Sequence, residues 1–284
     1  MIVLAIETAT IEVAAGVGDG SGLRAAVTAR PGRRHAETLH PAIAQACRFA
    51  GVELAEIQAV AVDVGPGLFT GLRVGVAAAK AMAAALGVPA VGISSLEILA
   101  RAARAGLRPV VPVVDVRRGE IAWLLPGESS EPRLGSPAAL AAELSGPGGS
   151  GTTARWRGAE GPVLLVGDGA RRYGEELLTL LAAGSGADHG PDAGGRSPGS
   201  RPPEGSPSAG GSGVAGPVAA PARFAIGGDL LAAPPVGALL ELAGERLAEG
   251  LAGDPSGLVP RYLREADARI NWATRPHAEP AYDS

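Results

Sequence analysis

Three groups of residues in this 284-residue chain have types and spacings that could do chemistry. The first is VGPGLFTGLRVG, residues 64–75, four glycines and a proline between an apolar run and an alanine-rich segment. Free backbone N–H groups at the start of a helix could hold an anion there, with Arg73 placed to help. Pro66 and Gly67 fit positions i+1 and i+2 of a type II turn, where glycine supplies the positive φ. Gly65 and Gly71 allow close passage of neighbouring backbone. No Lys-Ser/Thr pair follows the glycines, so this is not a P-loop, and a structural turn and a ligand loop stand level on the pattern.

The second group is His35 and His40. A separation of five residues turns them about 140° apart on a helix, whereas one metal needs both on one face. A surface or capping role suits each, and no second cysteine or carboxylate cluster adds ligands. The third group is Glu7, Glu12, Asp115 and Asp168, at strand ends or turns where a nucleotide site would keep polar residues and where solvated carboxylates also sit without function. Ser94 and Ser95 stand where a helix cap belongs, with no nucleophile elbow around them. Cys47 lies in an apolar helical stripe as filler. No catalytic, cofactor-binding or metal-binding residue is assigned.

The elements that must position these groups follow from periodicity. Residues 1–7, 12–19 and 22–30 read as three antiparallel strands separated by turn residues. Leu39, Ile43, Cys47 and Ala50 recur on one face of a helix over 35–50 that stops at Gly51. A continuous apolar run over 57–64 predicts a strand covered on both faces. Thr70 is expected to cap a helix reaching Leu86, whose apolar line is Leu72, Val76, Ala79, Ala83 and Leu86. A strand over 89–93 and a helix capped by Ser94 or Ser95 complete the order of a ribonuclease-H-like half. A second α/β unit carries a hairpin around Arg117–Gly119, a strand over 162–169 running into a helix, and a further helix within 236–252.

Two such halves give an α/β, actin-like (ASKHA, ribonuclease-H-like) two-lobed fold. The N-terminal lobe takes residues 1–105, and the first part of the C-terminal lobe takes 106–183. Residues 184–222 are nearly all Gly, Pro, Ser and Ala and cannot offset an ordering cost of roughly 1–2 kcal/mol per residue, which predicts a disordered insertion. Residues 223–284 hold the rest of the lobe and the tail. The net charge of −4 argues against a free-standing nucleic-acid binder. One cysteine excludes an internal disulfide framework and suits a reducing compartment. The N-terminus fails as a signal peptide, and no uncharged apolar run reaches transmembrane length, which predicts a soluble cytoplasmic protein.

The glycine stretch, preceded by RRHAETLHPAI (33–43) and followed by VPAVGISSLEILA (88–100), closely resembles the TsaB (YeaZ) family. DVRRGEIAW (115–123) and YLREADARINW (262–272) are similar to its later signatures. The resemblance implies an actin-like paralogue of TsaD, the subunit that carries transfer of the threonylcarbamoyl group to the adenosine beside the anticodon of tRNAs reading codons that begin with A. It implies a partner that binds and activates TsaD, works with the ATPase TsaE, reaches tRNA only through the complex and self-associates through the same surface. TsaD-like chains have two histidines four residues apart where this chain has Ser95 and Leu99, and leucine cannot ligate a metal. Their polar Ser-Cys-Asp-Glu-Thr run is replaced by ATIEV (9–13).

On this reading the glycine loop, with Gly65, Pro66, Gly67, Thr70 and Gly71, sets the angle of a docking helix. Helices 35–50 and 70–86 would pair with their counterparts in TsaD. Leu39, Ile43, Leu72, Val76 and Ala79 are the candidate apolar contacts, and Arg73 and Lys80 the candidate rim charges. Val76→Arg is then expected to abolish the complex by burying an unpaired charge. The alternatives are an actin-like enzyme, a kinase or glycoprotease, and a homodimeric scaffold with another task.

Overall fold

β1 (Val3–Glu7), β2 (Val13–Asp19) and β3 (Gly22–Ala29) form the antiparallel opening, with Leu4 opposite Val17 and Val17 opposite Ala25. The computed structural model describes residues 1–32, 34–104, 108–125, 127, 131–145, 162–185 and 223–263. After β3 the chain enters α1 (His35–Ala50), which Gly51 closes in the left-handed conformation. β4 (Ala59–Gly65), α2 (Phe69–Leu86) and β5 (Ala90–Ser94) follow, and the sheet runs β3-β2-β1-β4-β5 with β4 parallel to both neighbours.

Every residue of β1 and β4 is buried, because the sheet is covered on both faces. The alternation of a strand decides which side chain goes where. Leu4, Ile6, Val60 and Val62 face α1 and α2, whereas Val3, Ala5, Ala59 and Ala61 face the helix α7 (Val236–Ala248). Sequence order placed 236–248 with the C-terminal lobe. The structure returns this helix to the first sheet, where Val236, Leu239 and Ala243 cover the face that α1 and α2 leave open.

α3 (Ser95–Ala102) leads to the second sheet, built from β6 (Val110–Arg117), β7 (Glu120–Trp123), β8 (Arg133–Gly135), β9 (Val163–Val166) and β10 (Phe224–Ile226). Its order is β10-β9-β6-β7-β8. Counted in chain order within each sheet, both read 3-2-1-4-5, with strand one antiparallel to strand two and parallel to strand four. That repetition is the two-lobed actin-like fold. α4 (Pro137–Ser145), α5 (Asp168–Arg172) and α6 (Gly174–Ser185) accompany this sheet. Leu96, Leu99, Val110, Val114 and Val166 form the apolar cluster between the two halves. The expected insertion lies outside the described residues except for its first two, which end α6; the tail from 264 onward also lies outside them.

α2 is, among the described residues, the one helix long and apolar enough to cross a membrane. Leu72, Val76, Ala79 and Ala83 are buried, with Val76, Ala79 and Ala83 in the cluster beneath the sheet, so packing accounts for its apolar composition.

Candidate functional site

The glycine loop is built for contact with backbone. The carbonyl oxygen of Ala9 accepts from the N–H of Leu68 at 2.6 Å, and the Thr8 hydroxyl donates to the carbonyl of Gly71 at 2.8 Å. A Cβ on Gly67 would stand 2.3 Å from the Ala9 carbonyl oxygen, one on Gly71 2.0 Å from that of Thr8, and one on Gly75 2.2 Å from the Thr8 hydroxyl oxygen. The start of α2 therefore lies directly on the β1–β2 turn. The Leu68 N–H, one of those that could hold an anion, is spent on Ala9. His35, buried at the first turn of α1, joins the same knot through a 2.9 Å contact between Nε2 and the Thr10 carbonyl oxygen.

Three local expectations are corrected here. The Gly65–Pro66 bond is cis and the positive φ, 99°, falls on Gly65 and not on Gly67, so Pro66-Gly67 does not form a type II turn. Thr70 is the second residue of α2, whose N-cap is Leu68, so it caps nothing. Ser94 is the N-cap of α3 without a side-chain cap bond, while Ser95 donates to Asp63 at 2.6 Å.

Asp63 is the residue that sequence reasoning passed over, and its signal was a lone charge inside the apolar run of β4. Ile6 pairs with Val62, so Glu7 at the end of β1 and Asp63 near the end of β4 lie on neighbouring strands, both buried. Glu7 Oε1 accepts from the Ala9 N–H at 2.9 Å, and Asp63 Oδ1 from the Gly65 N–H at 2.7 Å. Glu7 Oε2 and Asp63 Oδ2 have no further partner. Burial, and next the adjacent Asp63 charge, push the Glu7 carboxyl well above the usual range; burial raises Asp63 too. Burial beside Asp63 thus favours the protonated form of Glu7.

The second lobe repeats the pattern with arginines. Asp115 Oδ2 accepts from Arg117 at 3.1 Å and from Arg172 at 3.2 Å, and its own N–H donates to Asp168 Oδ1 at 2.9 Å. Arg117 and Arg118 both take positive φ, 73° and 59°, at the hairpin tip. Burial lifts the Asp168 carboxyl to about 6, against the N–H of Asp115. In the second lobe the polar groups at the strand ends are thus bonded to one another. Glu12, also at a strand end, is paired with Arg30. Among the described residues no group of three or more His, Cys, Asp or Glu could hold a metal ion.

Of the expected docking contacts, Leu39, Ile43, Leu72, Val76 and Ala79 are all less than 4% exposed and belong to the chain's own core. Burial of each large aliphatic side chain contributes about 1.5–3 kcal/mol, which forbids turning them outward to meet a partner. Lys80 is also engaged internally, donating to the carbonyls of Ser256 at 2.9 Å and Leu258 at 3.2 Å. The outward face of α2 consists of Thr70, Arg73, Ala77, Ala81 and Ala84, exposed at three- and four-residue spacing. Beside α1 an open groove of about 400 Å³ is lined by His40, Ile43, Ala44, Cys47 and Arg48, by the segment 52–54 that follows the helix, and by Met82 of α2. Of the expected contact residues, Arg73 is exposed, Ile43 lines this groove from below, and Lys80 shares a second cleft of about 880 Å³ with Ala77, Ala81, Ala84 and residues 253–256.

Comparison with known proteins places this geometry. The family model for TsaD, the tRNA N6-adenosine threonylcarbamoyltransferase, matches residues 24–132. The chain is 40% identical over 126 residues to an uncharacterized protein of Mycobacterium tuberculosis, covering 43% of this chain and 57% of that one. It is 32% identical over 125 residues to the tRNA threonylcarbamoyladenosine biosynthesis protein TsaB of Escherichia coli, covering 43% and 54%. To a tRNA N6-adenosine threonylcarbamoyltransferase of Pelobacter propionicus it is 42% identical over 113 residues, covering 34% and 33%. The matched stretch thus spans from a third to just over half of these relatives. Among solved structures, YeaZ from Pseudomonas aeruginosa matches with a TM-score of 0.61 at 23% identity, over 92% of this chain and 99% of that one. A second structure from that organism, described as similar to peptidase YEAZ, matches with a TM-score of 0.63. At that identity the likeness shows the fold.

Proposed function

We propose, from the resemblance of this chain to the TsaB (YeaZ) family, that it serves threonylcarbamoyladenosine synthesis on tRNA as a non-catalytic subunit. It binds and activates a TsaD-type transferase, works with a TsaE-type ATPase in the cytoplasm, and meets tRNA only within that complex. The observation that carries this reading is that the polar groups which could take a phosphate are bonded within the chain. The β1–β2 turn, which in a nucleotide-binding lobe would face a phosphate, is bonded to the N-terminus of α2 through Ala9 and Leu68. In the second lobe Arg117 and Arg172 are held on Asp115.

The surface left for function is the outer side of α1 and α2. Small side chains on α2 allow another helix to approach closely, and the groove toward α1 gives it a seat. The residues first expected to make the contact do so indirectly, by fixing the two helices on the sheet. The kinase and glycoprotease alternatives find no support in the site: Ser95 is buried against Asp63 and Cys47 is buried. Reconstitution with cognate TsaD-type and TsaE-type chains tests the reading. Modification of tRNA should collapse when this chain is omitted and return when it is added back. Undiminished modification without it, or turnover of ATP or peptide by this chain alone, would end it.

A further inference from the structure

We propose that Phe69, Arg73 and Tyr262 form the anchor of the interface with the TsaD-type partner, presenting a preorganised guanidinium to a carboxylate of that chain. This rests on the reading above and adds to it a binding centre contributed partly by the C-terminal segment.

The chain holds only three Phe, three Tyr and three Trp. Two of these nine aromatic residues meet at the surface: Phe69 is 38% and Tyr262 40% exposed, with ring centroids 4.9 Å apart. The Arg73 guanidinium carbon lies 3.9 Å from the Phe69 ring centroid, and its Nε donates to the Tyr262 hydroxyl at 3.1 Å. Stacking and hydrogen bond together fix a side chain that would otherwise lose rotamer freedom on binding. Among the described residues no carboxylate pairs with Arg73, whose guanidinium fork suits a bidentate acceptor. Aromatic rings with an arginine are the composition in which interface energy concentrates.

Position supports the same assignment. Arg73 is continuous with the exposed face of Ala77, Ala81 and Ala84, along which a partner helix can approach. The TsaD family model matches residues 24–132, which include both α1 and α2. The partner family therefore carries the counterpart of this helix pair, and like surfaces can meet about a pseudo-two-fold axis. Tyr262 reaches the site because the preceding segment is tied down, with the Arg261 N–H donating to the Val64 carbonyl at 2.7 Å, Leu258 buried and Lys80 holding two carbonyls.

The test is calorimetric titration of the cognate TsaD-type chain with wild-type protein and with Arg73→Ala, Arg73→Lys, Phe69→Ala and Tyr262→Phe, alongside sedimentation of each variant alone. Leu230→Ser, at a residue 92% exposed beside the second sheet, is the control. Loss of an anchor is expected to weaken binding about 30-fold for Arg73→Ala and Phe69→Ala. Arg73→Lys, which keeps the charge without the fork or the Nε bond, should lose about tenfold, and Tyr262→Phe a few-fold. Arg73 is exposed, so its variants should melt with the wild type. Binding of Arg73→Ala within threefold of wild type would overturn the anchor, as would loss of self-association alone with the hetero-complex intact. Failure of the wild-type chain itself to bind would overturn the partner reading and the anchor with it.

Discussion

The carbonyl oxygen of Thr8 occupies the place that a side chain on Gly71 would need, 2.0 Å from where its Cβ would stand. Neither side can yield cheaply, because the obstacle is the backbone of the β1–β2 turn and the Thr8 hydroxyl is bonded to the Gly71 carbonyl. Gly71→Ala must push α2 off β1, and overpacking of this kind costs roughly 3 kcal/mol or more. Gly87→Ala is the contrast: its φ is 65° but nothing lies near the added Cβ, so the cost is about 1 kcal/mol of backbone strain. Urea unfolding of the two variants should separate them by at least 2 kcal/mol; equal losses would mean that the glycine loop is flexible enough to open.

Glu7 carries the second prediction. Its folded pKa is raised by burial and by Asp63. A carboxyl raised on folding contributes stability that is fully present below its unfolded value and is lost as pH climbs toward the folded one. The unfolding free energy of the wild type should therefore fall as pH rises above the ordinary carboxyl range. Glu7→Gln keeps an oxygen for the Ala9 N–H and supplies an amide N–H to Asp63 without titrating. It should flatten that slope and match or exceed wild-type stability at pH 8, as read by denaturant titration across pH. A variant with the wild-type slope would place the proton elsewhere.

The same sign applies to Asp168 over a defined window. Burial raises its carboxyl from 3.8 to about 6, so its contribution is complete below pH 4 and is lost as pH rises through about 6. Asp168→Asn retains the oxygen that accepts from the Asp115 N–H. It should remove roughly 2 kcal/mol of pH dependence between pH 4 and 7, a figure reduced for partial exposure. Melting curves of the two proteins should diverge across that interval and run parallel above it.

Much of the first half was legible because hydrophobic period and glycine stops agreed: α1 ends at Gly51 and α2 at Gly87, whereas β8 and β10 of the second half, three residues each, are too short to show a period. Helix α7 was not, since an amphipathic helix records that it covers a sheet but not which sheet. Glu7 looks like a solvated strand end in one dimension and Asp63 like a lone charge in an apolar run, and they become a buried pair only when β1 and β4 lie side by side. The same blindness affected the docking surface. An apolar stripe on a helix marks the side facing the core, so Leu39, Ile43, Leu72, Val76 and Ala79 were the residues least able to touch a partner. Tyr262, 189 residues from Arg73, shows no local sign of the contact it makes.

That inversion gives the last prediction, a separation of folding from docking on one helix. Val76 is 3% exposed within the core, so Val76→Arg buries an unpaired charge and should unfold the protein or lower its stability by more than about 3 kcal/mol. Loss of the complex in that variant would then report misfolding and say nothing of the interface. Ala81 lies on the opposite, exposed face. Ala81→Arg keeps a good helix former, touches nothing in the core and should leave the melting temperature within a few degrees of wild type. Its long side chain would nevertheless prevent a partner helix from approaching, so gel filtration with the cognate TsaD-type chain should show the complex lost. If Ala81→Arg binds normally, the outward face of α2 is not the docking surface and the contact must lie on α1 or elsewhere.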